Sequence, residues 1–205
     1  MKLELRELRK QDFSKAVQFA VKGMHFDWYM DNEFLRNLYG RYFWYMEIMR
    51  ATQILAAYWD ERFVGVLLCE MKQEKRKYHS FWKSSYVKLF DFLQKLFVKG
   101  GPGVYEEANR QMLRDYCREH SPDGEIVFLA ADPEAKIKGI GSFLLEELTK
   151  REEGKTVFLY TDDACTYQFY EHRGFERAQQ RDVELVIGNK KVSLQCFLYS
   201  KTLKL

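Results

Sequence analysis

No run of apolar residues in this chain approaches the ~18 that a membrane-crossing helix requires, and the opening Met1–Lys10 is charged throughout. Cysteine is scarce and scattered. Cys69, Cys117, Cys165 and Cys196 form no C-x-x-C, which argues against a disulfide framework or a metal site and for a cytoplasmic protein with no metal. The formal net charge is only +3, too small by itself to argue for nucleic acid as a partner. Two familiar nucleotide signatures, G-x-x-x-x-G-K-[ST] and G-x-G-x-x-G, are missing. So are internal repeats and low-complexity segments. What remains, 205 residues, reads as a single domain over 1–205 able to bury one large core.

Residues 125–175 carry most of the information. The apolar segment Ile126–Ala131 predicts a strand ending at Asp132-Pro133; the turn Lys136–Gly141 follows, then the helical pattern Ser142–Lys150. A helix's first turn leaves backbone N–H groups unpaired at the positive end of its dipole, which favours an anion. Glycines at 139 and 141 would let a phosphate approach those groups, and Lys136 and Lys138 add positive charge. Taken alone, the turn is equally readable as a plain strand-to-helix connection. A second strand, Thr156–Thr161, and Phe169-Tyr170-Glu-His-Arg-Gly174-Phe175 come next.

Together these motifs resemble the GCN5-related N-acetyltransferase (GNAT) family, whose coenzyme A turn is [QR]-x-x-G-x-[GA] and whose later part often ends F-Y-x-x-x-G-F. The sequence has Lys136-x-x-Gly139-x-Gly141 in the first position, where lysine keeps the charge but lacks arginine's forked donors. Asp163 stands where many members have an asparagine that bonds the pantetheine arm, and a carboxylate there can only accept. The resemblance implies an α/β (α+β) acyl-CoA N-acyltransferase fold, a mixed central sheet flanked by helices. It implies acetyl-CoA as cosubstrate, held by strand backbone at Leu129, Ala130 and Ala131, by the turn residues Lys136, Ile137, Lys138, Gly139, Ile140, Gly141 and Ser142, and by Asp163 and Phe169. It also places Tyr170 beside the coenzyme sulfur, as a donor to the leaving thiolate, and Glu125 where the histone acetyltransferase branch carries its carboxylate base. Glu70, Asp27, Asp31 and a water chain are rival bases, and Asp123-Gly124-Glu125 is also readable as a polar strand start. Cys165 has no histidine in a motif with it, and the family transfers its acyl group without a covalent enzyme intermediate.

Elsewhere, alternation predicts a strand over Lys2–Arg9, and Asp12 is expected to cap a helix carrying Phe13, Val17, Ala20 and Val21. A second helix is expected over 33–50, strands over Gln53–Trp59 and Phe63–Met71, and a terminal hairpin of Arg181–Ile187 and Lys191–Tyr199 around Gly188-Asn189. Residues 72–123 exceed the minimal family plan and read as a helical-hairpin insertion between the third and fourth strands. Trp82, Tyr86, Leu89, Phe90, Leu93, Leu96 and Phe97 share one helical face, Gly100–Gly103 makes the bend, and Tyr105, Ala108, Met112 and Tyr116 mark the second helix. This pair is a packing element, a lid over the acceptor, or a dimer contact.

Phe26–Trp59 holds 11 of the chain's 33 aromatic residues. Leu35, Leu38, Tyr42, Tyr45, Met46 and Met49 are the expected core stripe of the helix, leaving Phe34, Tyr39, Phe43 and Trp44 for the insertion, a ligand or a partner. His25, Asp27 and Asp31 are loop and cap residues or neighbours of the acceptor. The basic run Lys72, Lys75, Arg76, Lys77 is interrupted by Glu74 and reads as a solvated face. The expected function is direct acetyl transfer to a primary amine of a small molecule, with no nucleic acid or membrane partner and a homodimer possible. The alternative is a non-catalytic acyl-CoA-binding module that uses the insertion to hold a protein partner.

Overall fold

The structure, a computed structural model, describes residues 2–24, 32–97, 102–187 and 190–204, by backbone alone at 93–97, 102, 186, 187 and 190. The strands are β1 Leu3–Arg6, β2 Gln53–Trp59, β3 Arg62–Met71, β4 Gly124–Ala131, β5 Thr156–Asp162, β6 Glu176–Ile187 and β7 Lys190–Thr202. They form one sheet in the order β1-β2-β3-β4-β5-β7-β6, and only the β4–β5 pair is parallel. The helices are α1 Phe13–Gly23, α2 Glu33–Arg50, α3 Phe81–Phe97, α4 Pro102–Tyr116, α5 Ile140–Arg151 and the single turn α6 Gln168–Glu171.

The sequence patterns follow from which faces are covered. β3 lies centrally between helices on both faces, so Phe63–Cys69 is a continuous apolar run. At the edge, β6 alternates, with Val183 and Leu185 buried between exposed Asp182 and Glu184. On one face α5 packs Ile140, Leu144 and Leu148 against Leu55, Val64, Leu67, Val157 and Leu159. The other face receives α1 and α2, through Ala16, Val17, Trp44 and Ile48, against Ala56, Tyr58, Val66 and Phe128.

Three expectations need correction. Asp12 makes no side-chain cap, because its Oδ2 accepts from Arg9 Nε at 2.9 Å and from Tyr58 Oη at 2.6 Å. The Arg9 bond joins two full charges and the Tyr58 hydroxyl bonds the same oxygen, and together these hold the carboxylate away from the helix N–H groups. The second helix has its expected bounds, capped by Asn32 Oδ1 accepting from Leu35 N at 3.1 Å, but it is rotated from the expected stripe. Leu35 is 54% exposed, whereas Trp44 is fully buried together with Ile48. The cause is Gly40: a Cβ there would lie 2.5 Å from Val21 Cγ2, so α1 approaches α2 at this point and fixes the rotation. Truncating Trp44 to alanine should therefore lower unfolding free energy by about 3–5 kcal/mol, measured by denaturant titration. A change below about 1 kcal/mol would place the indole outside the core.

The third correction concerns 72–123. Two helices do lie between β3 and β4, but they divide. α3 packs on α2, with Tyr42 and Phe90 stacked at 4.6 Å and Tyr42 Oη donating to Asp91 Oδ1 at 2.6 Å. α4 instead packs Ala108, Met112 and Tyr116 on Phe158, Val183, Leu194 and Leu198. The stripe expected for α3 is also displaced, since Trp82 is 82% exposed and Leu89 lies out in solvent. Residues 98–101, which include the start of the expected bend Gly100–Gly103, and the hairpin tip 188–189 fall outside the described residues, as do His25, Asp27 and Asp31.

Candidate active site

The site begins where two strands part. β4 and β5 register only at Gly124↔Val157 and Glu125↔Phe158. Beyond those pairs no β5 partner is registered for β4 among the described residues. On its other side, β4 meets β3 through a bulge: Leu68 faces Phe128 and Cys69 faces Ile126, so Val127 is an extra residue. A bulge bends its strand and leaves one residue's backbone outside the ladder. The strand that the motifs assign to the pantetheine arm therefore has backbone groups free of sheet pairing, with Leu129 half-buried, Ala130 buried and Ala131 exposed along the opening.

β4 leads into the glycine turn. Asp132 is buried and holds the strand end, its Oδ2 accepting from Arg62 Nη2 at 2.7 Å and paired with Lys15 Nζ at 2.8 Å. Gly139 takes φ +85°, a left-handed conformation that costs other residues free energy, and starts α5 with no side-chain cap. The first intrahelical bond runs from Phe143 N to Gly139 O at 2.9 Å, leaving the N–H groups of Ile140, Gly141 and Ser142 ahead of it. Space in front of Gly139 is open to 4 Å, whereas a Cβ on Gly141 would lie 3.0 Å from Phe169 Cζ. Lys136 and Lys138 are exposed on the same turn, with Ile137 half-buried between them. An open surface of N–H donors at a helix start, ringed by cations, fits a diphosphate.

The same turn receives a residue that motif reading passed over. Arg173 Nε donates to Ser142 Oγ at 3.0 Å, and its guanidinium lies 5.4 Å from the Phe169 ring centroid. The only sequence sign was an arginine just before Gly174. Tyr170 is wedged between Phe169 and Phe175, with ring centroids at 5.3 and 5.6 Å, and burial pushes its phenol well up, keeping it protonated. Among the described residues no group hydrogen-bonds its hydroxyl. Cys165, close by, is pushed up to about 12 by burial and by Asp162, so it carries no thiolate at neutral pH. Asp163 is exposed, and its Oδ1 accepts from Gln195 N at 3.0 Å, which commits one oxygen to β7.

Glu125 lies at the vertex of the opening. Its Oε2 accepts from Arg50 Nη2 at 2.5 Å, and Arg50 Nε donates to Glu70 Oε2 at 2.7 Å. Arg50 also approaches Glu47 Oε2 at 3.6 Å. Three carboxylates thus share one guanidinium, on the face covered by α2. Burial raises the affinity of Glu125 for a proton, while Arg50 opposes that. Glu47 is pushed up to about 8, by burial first. A cavity of about 390 Å³ opens beside the cluster, lined in part by Thr52, Glu70, Arg76, Leu113, Glu125 and Phe158. Glu125 and Glu70, the candidate bases of the sequence analysis, stand in this cluster; Glu47 and Arg50 were not singled out there, since they follow the aromatic stretch of α2 and belong to no motif. Among the described residues no cluster of His, Cys, Asp or Glu could hold a metal ion, and no helix is long and apolar enough to cross a membrane.

A splayed parallel pair in a mixed seven-stranded sheet, with a glycine turn opening the following helix, defines an acyl-CoA N-acyltransferase fold. Solved structures share it. That of a histone acetyltransferase HPA2 and related acetyltransferase from Corynebacterium glutamicum has a TM-score of 0.56 at 15% identity, covering 100% of this chain and 98% of that one. PaiA N-acetyltransferase from Thermoplasma acidophilum, solved in complex with coenzyme A, has a TM-score of 0.54 at 17% identity over 98% of this chain and 99% of that one. An N-acetyltransferase from Staphylococcus aureus gives 0.51 at 15% identity over 100% of both. No curated protein sequence matches the chain. Residues 102–183 match the family model for FR47-like proteins. That match spans the strand, glycine turn and tyrosine segment of residues 125–175 from which the resemblance was read, and the shared fold is the one the resemblance implies.

Proposed function

We propose that this protein transfers the acetyl group of acetyl-CoA directly to a primary amine of a small molecule. The observation that carries the reading is the coincidence, along one strand-turn-helix unit, of the β4–β5 opening, the Gly139–Gly141 turn and a carboxylate at the vertex. The neighbouring crystal structure with coenzyme A supports the choice of cosubstrate. In this assignment Leu129, Ala130 and Ala131 hold the pantetheine arm, and the turn from Lys136 to Ser142 holds the diphosphate. Phe169 packs against that turn, and Asp163 keeps at most one oxygen for a ligand.

Two proton requirements set the roles of the side chains. An alkylammonium of pKa ~10.4 must lose a proton before it can attack, at a cost near 4.6 kcal/mol at pH 7. Glu125, partly buried and facing the cavity, is the carboxylate placed to accept it. Acetyl-CoA supplies the acyl group and a thiolate leaving group. Tyr170 keeps its proton and offers it as a hydrogen bond to developing negative charge on sulfur. Backbone freed by the β4 bulge is available to polarise the thioester carbonyl. The cavity walls carry both Glu70 and Arg76, which suits a small polar amine.

The reading is tested by thiol release from acetyl-CoA across a panel of small primary amines, amino-terminal peptides and lysine peptides. Turnover with small amines at least tenfold above the peptides is expected. Tight acetyl-CoA binding with no turnover on any acceptor would support the non-catalytic module instead.

A further inference from the structure

Glu47 is an expensive residue for a helix to bury. It is 5% exposed, on the same helix face as Trp44 and Ile48, where an apolar side chain would pack without penalty. Its Oε2 has no hydrogen-bond partner. Its nearest compensation is the 3.6 Å approach of Arg50, whose better-placed donors are taken by Glu70 and Glu125 at 2.7 and 2.5 Å. Arg50 cannot satisfy three carboxylates, and the second cation, Arg76, reaches only Glu70, so the group left with the poorest contact retains a proton most readily. The arrangement stores that proton one guanidinium away from the carboxylate at the strand opening.

We propose that Glu47 is the second carboxylate of a proton-sharing pair with Glu125 across Arg50, and that the pair, not Glu125 alone, draws the proton from the acceptor ammonium. The proposal rests on the acetyltransferase reading above. Glu47 acts through Glu125 and is a positioning residue, with no contact to the acceptor. The N–H bond of the ammonium breaks as an O–H bond forms on Glu125. The freed nitrogen pair forms the C–N bond as the C–S bond breaks; the acylated nitrogen then gives its second proton to solvent, and the departing sulfur takes one up from solvent. With Glu47 ionised, the cluster carries one more negative charge and Glu125 becomes the stronger base. With Glu47 neutral, Arg50 is left to Glu70 and Glu125. The groups that face this cluster are Arg50 and Glu47 from α2, Glu70 from β3, Glu125 from β4 and Tyr160 from β5, with Arg76 reaching Glu70 at 3.5 Å.

The test is carboxyl ¹³C NMR of the full chain labelled at glutamate, in wild type, Glu47→Gln and Glu125→Gln. In wild type, Glu47 should titrate near pH 8, and the same step should appear at the Glu125 carbon. Glu125→Gln removes a neighbouring negative charge and should lower the Glu47 midpoint by about one unit or more. Glu47→Gln should erase the upper step, lower kcat/KM at pH 8 about tenfold and leave acetyl-CoA affinity unchanged. A Glu47 midpoint below pH ~5, or one unmoved in Glu125→Gln, overturns the proposal. If either variant fails to fold, the wild-type titration decides, since unlinked steps at the two carbons also overturn it. Linked titration without turnover on any amine would leave the pair standing as a charge-coupled unit and would sink its catalytic role together with the acetyltransferase reading.

Discussion

Replacing Gly139 and Gly141 together by aspartate should weaken acetyl-CoA binding at least ~100-fold in a calorimetric titration, while the protein stays folded. At 139 the left-handed backbone, φ +85°, penalises any side chain by about 1–2 kcal/mol. At 141 the new Cβ meets Phe169 Cζ at 3.0 Å, a ring edge that has only to move by a few tenths of an ångström. Both costs are partly offset in the free protein, because a carboxylate at a helix start is favoured by the dipole. With a diphosphate present the sign reverses. Each carboxylate about 5 Å from a phosphate charge repels it by about 3 kcal/mol at an effective dielectric of ~20. Solvent and salt screen much of this at an exposed turn, and a hundredfold loss, about 2.7 kcal/mol, requires less than half of it. Loss of affinity below about tenfold would remove the turn from the binding site. Failure of the wild type to bind would leave the glycine turn as architecture and bring the partner-binding reading forward.

Tyr170→Phe should lower kcat about 100-fold and change acetyl-CoA affinity less than about threefold. Phenylalanine keeps the ring contacts with Phe169 and Phe175, and since no described residue bonds the hydroxyl, its removal strands no buried partner. An ordinary phenol would give its proton to a thiolate of pKa ~8.5 uphill by about 2 kcal/mol. Burial raises the phenol further, so full transfer is still less favourable and the hydroxyl contributes as a hydrogen-bond donor. Because its affinity for the proton is raised, Tyr170 stays neutral through the working range, and the alkaline side of the rate profile should show no titration from it. Equal turnover of Tyr170→Phe and wild type would exclude the residue from the chemistry.

Much of this architecture is legible in the linear pattern. The bounds of β2 and α2 and the two glycines all lie where local periodicity and turn chemistry put them. These are features decided within a few residues, by alternation, capping and backbone freedom. The departures originate in side-chain contacts that periodicity and turn chemistry do not encode, most of them made far along the chain. Asp12 gives up its capping role for Arg9 and Tyr58, Trp44 turns inward because Gly40 admits α1, and the two helices after β3 divide between α2 and the β6–β7 hairpin. The site splits in the same way: Glu125, Tyr170 and the glycine turn were legible as motif positions, whereas Arg50 and Glu47 lie outside any motif and Arg173 occupies a variable position of one.

The sequence by itself determined the order of elements and the glycine turn at the start of α5, because hydrophobic period and backbone permissiveness are local properties of the chain. Only the tertiary structure decided the rotation of α2, the separate docking of α3 and α4, and the gathering of Glu47, Glu70 and Glu125 around Arg50. The physical reason is that burial and ion pairing depend on groups that meet only after folding: Arg50 and Glu125 lie 75 positions apart in the chain and 2.5 Å apart in space.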